Sequence, residues 1–316
     1  MPEGTQRIAV VDVGSNSIKL LVADFIQGIW KRTLEHSTNE TRLGGALVQG
    51  DPRLSPVEIE AGAASVAGLV EKARQHQPHA VAVVATSAVR DAVNRDAFIS
   101  AVRQRTGLEV RVLSGDEEAF FISEGVRCDA SLNNGMDFCI LDQGGGSLEL
   151  IRFYGKENRR VSLQLGAVRL FTQVQLGDTG PVQRGHRQEI HRRVDEAWES
   201  IDWRRDLEGM PWVGTGGALT LTRAAMAAAR GETLDGSSPR LTWSELSAFT
   251  DRIASLSLAE RIQQENLPAS RADILPAGLL AVLRVMERGG CSALHHSLFN
   301  LRYGYAANLA SGAVQA

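Results

Sequence analysis

Apolar positions along the 316-residue chain fall into two kinds of run. Short unbroken runs such as "IAVV" (8–11) and "AVAVVAT" (80–86) have the length and β-branched content of buried strands. Between them, "SPVEIEAGAASVAGLVEKARQHQ" (55–77) spaces its apolar residues with a helical period, with Ser55 able to cap the helix and Pro56 in its first turn. A helix starting near Asn94, a strand "EVRVLS" (109–114) and a helix from about Asp116 continue the alternation. Strands alternating with helices predict an α/β sheet. In the second half, 184–205 reads as a charged helix and 210–230 as strand, glycine turn and alanine-rich helix. Helices are predicted over 242–255, 258–265 and 273–288, with 231–240 as a loop.

The pattern also repeats. After "IAVV", the segment "SIKLLVADF" forms the second arm of a hairpin, and the same grammar returns at 137–151. Laid over each other, "DVGSNSIKLLV" (12–22) and "DQGGGSLELIR" (142–152) share the acid, the glycine two later, the serine five later, then an apolar residue, a charge and leucine. Each copy opens one half of the chain, so two related domains are expected, 1–124 and 125–316, with the last helix a candidate to pack back on the first.

Composition narrows the functional class. A hydrophobic share of 43% with 22% charged residues is that of a soluble globular protein, and 5% aromatic residues give no stacking surface for bases. A net charge of −3 argues against a broad nucleic-acid partner. No apolar run approaches a membrane span, and the start lacks a basic stretch before an apolar core, so no membrane and a cytoplasmic location are expected. Cys128, Cys139 and Cys291 have neither the number nor the spacing of a disulfide framework or a zinc site.

The repeated turns carry the candidate chemistry. A glycine-rich turn between two strands leaves main-chain N–H groups unpaired and lets a ligand approach the backbone. Gly14, Ser15, Asn16 and Ser17 form one such turn, Gly144, Gly145, Gly146 and Ser147 the other, and their side chains add donors for a phosphate. Neighbouring acids would repel a bare phosphate unless a divalent cation lay between them. Asp142 and Glu149, seven residues apart, return to one mouth if the hairpin turns between them, as hard oxygen ligands for Mg²⁺ or Mn²⁺. A single copy would read better as a tight hairpin with surface acids; two copies opening two halves favour the ligand site.

Three further stretches stand beside the turns. "GTGGALT" (214–220) is as consistent with a close-packed strand-to-helix turn as with ligand contact. Arg90, after the strand ending in Thr86 and Ser87, has the fork to clamp a phosphate, although alone it reads as a surface arginine. Glu118, in "GDEEA", could orient and deprotonate a water, although acids in a first helical turn usually serve the helix dipole. His295 and His296 cannot face one way if they share a strand, and no histidine falls into a metal-ligand spacing. GxSxG, GxxxxGK[ST] and an opening GxGxxG are absent, which counts against a serine hydrolase, a P-loop enzyme and a dinucleotide oxidoreductase.

"DVGSNSIKLLV", "ATSAVRDAVNRDAF", "TGLEVRVLSGDEEAFF", "DQGGGSLEL", "LGAVRL", "GTGGALT" and "RADILPAGL" occur in an order that resembles the exopolyphosphatase and guanosine pentaphosphate phosphohydrolase (Ppx/GppA) family of the actin, sugar kinase and Hsp70 superfamily, across nearly the whole chain. The resemblance implies two ribonuclease-H-like (actin-like ATPase) domains with an interdomain active-site cleft and Mg²⁺-dependent hydrolysis of a terminal phosphoanhydride. It implies Glu118 as catalytic base, Asp142 and Glu149 as metal-associated acids, both glycine turns as phosphate loops, and Arg90 as the arginine of its "ATSA" motif. The chain departs from the family pattern at Gln143, usually aliphatic, and at Ala218, usually threonine. Short members resemble exopolyphosphatases and are often dimers, so linear polyphosphate is the expected substrate and a homodimer the expected assembly. Hydrolysis of pppGpp and a non-catalytic sensor of pppGpp, ppGpp or a nucleotide are the alternatives.

Overall fold

The structure, a computed structural model, describes residues 3–44, 52–132, 137–154, 157–177 and 180–315. The chain divides into two compact units, Met1–Asn134 with Phe299–Ala316, and Gly135–Leu298.

In the first unit β1 (Thr5–Val13), β2 (Ser17–Ile26) and β3 (Ile29–Glu40) run as an antiparallel meander. Helix α1 (Pro56–Gln75) leads to β4 (Ala80–Ala85), which lies parallel to β1. The short α2 (Ser87–Asp91) and α3 (Arg95–Thr106) lead to β5 (Val110–Val112), parallel to β4, and α4 (Gly115–Val126) follows. The sheet order is β3-β2-β1-β4-β5. Both faces of β1 are covered, which is why "IAVV" is unbroken rather than alternating. One face, with Ala9, Val11, Ile18, Leu20 and Val22, packs with Val66, Val70, Phe98 and Val102 of α1 and α3. The start of α1 follows its sequence: Ser55 accepts from the Glu58 N–H while Glu58 accepts from the Ser55 N–H.

The second unit opens the same way. β6 (Phe138–Gln143), β7 (Leu148–Tyr154) and β8 (Glu157–Leu163) form the meander, and α5 (Ala167–Gln173) and α6 (Arg184–Glu199) follow. β9 (Trp212–Thr215) runs parallel to β6 and feeds α7 (Gly217–Ala228). After β10 (Arg240–Thr242) come α8 (Trp243–Ser255), α9 (Leu258–Gln264), α10 (Ala269–Ala272) and α11 (Leu275–Arg288). β11 (Ala293–His296) completes a sheet of order β10-β11-β9-β6-β7-β8. Within it, β8-β7-β6-β9-β11 repeats the arrangement of β3-β2-β1-β4-β5. The duplicated hairpins seen in the sequence are thus the first two strands of two like sheets.

The chain ends with α12 (Leu301–Ala310), which packs against α4 within the first unit. Two glycines make that contact possible. A Cβ on Gly304 would overlap the Phe121 carbonyl, and one on Gly125 would overlap the Asn300 carbonyl.

Candidate functional site

In the second unit, strand register assembles a polar row. Asp142 pairs with Glu149 across β6 and β7, Glu149 with Ser162 across β7 and β8, and Asp142 with Thr215 across β6 and β9. Directly paired residues share a face, so the four side chains stand in line. Ser162 Oγ donates to Glu149 Oε1 at 2.7 Å, and Thr215 Oγ1 donates to Asp142 Oδ2. Asp142 and Glu149 are 8% and 1% exposed. Like charges at facing strand positions destabilise a sheet. A divalent cation shared between them reverses that sign.

The donor set fits Mg²⁺ or Mn²⁺. Both ligands are hard oxygens, and among the described residues no group of three or more His, Cys, Asp or Glu forms a closed metal cage. Mg²⁺ is ordinarily held by one or two carboxylates, with waters and substrate phosphates completing the shell. Asp142 and Glu149 would hold it.

Beside this row lies the glycine turn. The Gly144 N–H donates to Ser147 O at 3.0 Å and closes the hairpin. Among the described residues no acceptor takes the N–H groups of Gly145 and Gly146, so two adjacent main-chain donors remain for an anion. Gln143, 1% exposed, alternates to the face opposite Asp142. Its Nε2 donates to Gly144 O at 3.2 Å and Leu165 O at 3.1 Å. It therefore braces the base of the turn and does not reach the hydration shell of the acids.

The first unit has the same turn with a different charge. The Gly14 N–H donates to Ser17 O at 3.1 Å, and among the described residues the Ser15 and Asn16 N–H groups have no acceptor. Asn16 Nδ2 donates to Glu40 Oε2 at 2.7 Å. Asp12 occupies the place of Asp142, but its strand partner is Lys19 where the second unit has Glu149. Burial pushes the Asp12 carboxyl above its usual range against the pull of Lys19 and of Arg302 on α12. Arg302 is buried with Nη1 donating to Leu20 O at 3.0 Å. The strand position across from the acid is thus a lysine in the first unit and a glutamate in the second.

Arg90 and Glu118 meet in the first unit. Arg90 Nη1 donates to Glu118 Oε2 at 2.7 Å and to Leu113 O at 3.1 Å, and Arg90 Nε lies 3.5 Å from Asp91. The two neighbouring glutamates divide their roles at the start of α4. Glu117 closes a capping box with Ser114 and binds Arg111, and these hydrogen bonds hold its carboxyl below the usual range. Glu118, one position on, is 8% exposed and makes no part of the cap. The capping role at this helix start falls to Glu117 and not to Glu118.

"GTGGALT" is a close-packed strand-to-helix turn. Thr215 is the hydroxyl on Asp142, while Gly216, at φ 100°, passes so close to β6 that a Cβ would overlap Gln143 O. His295 and His296 lie on β11 with only His296 buried, bonded to Thr220 and Arg223. Burial raises the thiols of Cys128, to about 11, and Cys291, to about 12, and raises Cys139 well above its usual range. All three are free and unreactive in that state. Thr215 was visible as part of a motif without its role; Ser162, in a polar edge segment, carried no sequence signal.

Known proteins share this chain's sequence pattern and fold. The profile of the Ppx/GppA phosphatase family matches residues 21–311. Exopolyphosphatase 2 of Mycobacterium tuberculosis is 28% identical over 319 residues, covering 96% of this chain and 98% of the relative. Among solved structures, an exopolyphosphatase from Cytophaga hutchinsonii superposes with a TM-score of 0.86 at 22% identity, covering 97% of this chain and 98% of that one. The Aquifex aeolicus member of the Ppx/GppA family gives 0.78 at 22% identity, covering 99% and 100%. These structural likenesses show the fold, the two-domain α/β architecture expected from the duplicated hairpins.

Proposed function

The chain belongs to the Ppx/GppA phosphatase family, and from that premise we propose that it is an exopolyphosphatase releasing the terminal phosphate of linear polyphosphate by Mg²⁺-assisted attack of water. The observation that carries this reading is the facing pair Asp142 and Glu149 beside a turn whose Gly145 and Gly146 N–H groups are open to an anion. Polyphosphate is favoured as substrate because a relative of nearly the same length is named an exopolyphosphatase.

Phosphoryl transfer to water asks a protein chiefly for positioning and for charge stabilisation. When bound, Mg²⁺ supplies positive charge against the terminal phosphate oxygens. The turns Gly14–Ser17 and Gly144–Ser147 donate main-chain hydrogen bonds to phosphate oxygens. Ser162 and Thr215 fix the carboxylate rotamers of Glu149 and Asp142. Glu118, held in orientation by Arg90, accepts a proton from the attacking water, whose oxygen forms the new P–O bond as the bridging oxygen leaves with the shortened chain. A general base of this kind contributes about 10²–10⁴-fold to rate.

Phosphate release from polyphosphates of defined length, measured beside pppGpp with Mg²⁺ and with EDTA, tests the reading. Mg²⁺-dependent release from polyphosphate at higher kcat/KM than from pppGpp is expected. Preference for pppGpp would replace the substrate, and binding without release from either would replace the enzyme with a sensor.

A further inference from the structure

We propose that Arg169 is a positioning residue for the anion turn of the second unit, aiming its main-chain N–H groups by holding their carbonyls from behind. The inference rests on the phosphate-binding reading of that turn and adds a residue to which no role has yet been given.

Three consecutive glycine carbonyls are held by the segment after β8. The Ala167 N–H donates to Gly144 O at 3.0 Å, and the Val168 and Arg169 N–H groups donate to Gly145 O at 2.9 and 3.2 Å. The third, Gly146 O, accepts from the side chain of Arg169, Nε at 2.8 Å. In a trans peptide unit the C=O of one residue and the N–H of the next point in opposite directions. Carbonyls drawn toward α5 therefore turn the N–H groups of Gly145, Gly146 and Ser147 away from it. Gly166 permits this close seating, since a Cβ there would overlap Gly145 O.

The first unit uses the same device with main chain alone. Gly44 N–H donates to Ser15 O at 2.7 Å, and the N–H groups of Thr41 and Arg42 donate to Asn16 O at 3.1 and 2.9 Å. Asn16 is the counterpart of Gly146. Two backbone donors at Asn16 O are thus matched by one guanidinium at Gly146 O, a charge-assisted bond of roughly twice the usual strength. The guanidinium also places a positive charge directly behind a turn that is to receive an anion, and without it the Gly146–Ser147 peptide is held by neither backbone nor charge.

The test compares wild type with Arg169→Gln and Arg169→Lys, reading kcat and KM for tripolyphosphate, calorimetric affinity for imidodiphosphate, Mn²⁺ affinity and Tm. Lysine keeps the charge and stem but places no donor at the Nε position. Expected for both variants is a KM and an imidodiphosphate Kd raised roughly tenfold, which is about 1.4 kcal/mol, with kcat within about threefold and Tm and Mn²⁺ affinity unchanged. Unchanged KM and Kd, or a loss of kcat that follows a lowered Tm, would overturn the proposal. If Arg169→Gln does not fold, Arg169→Lys decides alone. Should wild type release no phosphate, the polyphosphatase reading falls, and imidodiphosphate affinity still tests Arg169.

Discussion

Asp142 faces Glu149 directly across the β6–β7 ladder, on the buried side of a hairpin whose turn is almost pure glycine. The equivalent pair in the first unit is Asp12 and Lys19. One difference of charge sign in an otherwise duplicated hairpin thus sets a lysine against the acid of the first turn and a second carboxylate against the acid of the other.

Thr215 and Ser162 should matter to metal binding although neither is a ligand. Each donates a hydrogen bond to one of the paired acids, and partners of this kind typically change metal affinity by about 10–100-fold. Thr215→Val is expected to weaken Mn²⁺ binding, read by electron paramagnetic resonance, by about tenfold or more, with Ser162→Ala smaller because β8 lies at the sheet edge. Equal affinity in Thr215→Val and wild type would remove the hydroxyl from the site.

The neighbours Glu117 and Glu118 should respond oppositely to loss of charge. Glu118→Gln is expected to lower turnover by about 10²–10⁴-fold while tripolyphosphate still binds and Tm holds. Glu117→Gln removes the charge from the helix start and from Arg111 and is expected to cost about 1 kcal/mol of stability, with turnover nearly intact. A matched pair of kinetic and melting measurements separates them, and the reverse pattern would exchange their roles.

Which of these features the sequence discloses depends on how local they are. The hairpins, the capped α1 and the glycine turns are written in contiguous residues, through apolar runs, Ser55–Glu58 and the Asp-x-Gly repeat. The pairing of Asp142 with Glu149 also follows from local spacing, because seven residues span a four-residue turn and return in register. Thr215 reaches Asp142 only through register between strands more than sixty residues apart, and Ser162 reaches Glu149 through the register of the adjacent β7–β8 hairpin, and no periodicity records either. The division of labour between Glu117 and Glu118 rests on which of them sits three residues after Ser114, a rule readable in the sequence once the cap is located. Motif "LGAVRL" was visible as a string, but its use as a clamp on the glycine carbonyls needed the coordinates of both segments.

Asp24 should give the first unit an acid-sensitive contribution to stability. It is 2% exposed and bonded to Arg7 at 2.8 Å and Arg32 at 2.8 Å. Burial alone would raise its carboxyl, but the hydrogen bonds from Arg7 and Arg32 outweigh burial and hold it below the usual range. A carboxyl lowered on folding stabilises above its unfolded value of about 3.9 and loses that contribution as pH falls through the lower folded value. Asp24→Asn should therefore melt about 4–8 °C lower at pH 7, corresponding to about 2 kcal/mol, and the gap to wild type should close below about pH 4. A gap independent of pH would mean that packing and not charge holds this site.

Two glycine-to-alanine changes test whether the C-terminal helix is an integral part of the first unit. At Gly304 of α12 an added methyl would strike the Phe121 carbonyl of α4, a rigid backbone atom in a packed contact. Gly68 lies inside α1 with nothing within 4 Å of the same added atom. Alanine in an open helical position is favoured over glycine by about 0.8–1.0 kcal/mol, whereas overpacking costs about 1–3 kcal/mol. Gly68→Ala should raise Tm by a few degrees, and Gly304→Ala should lower it and expose the residues after Phe299 to protease. Because both changes remove the same backbone freedom from the unfolded chain, the difference between them isolates the α4–α12 contact. Equal stabilisation by both would mean that α12 does not dock on α4 in solution.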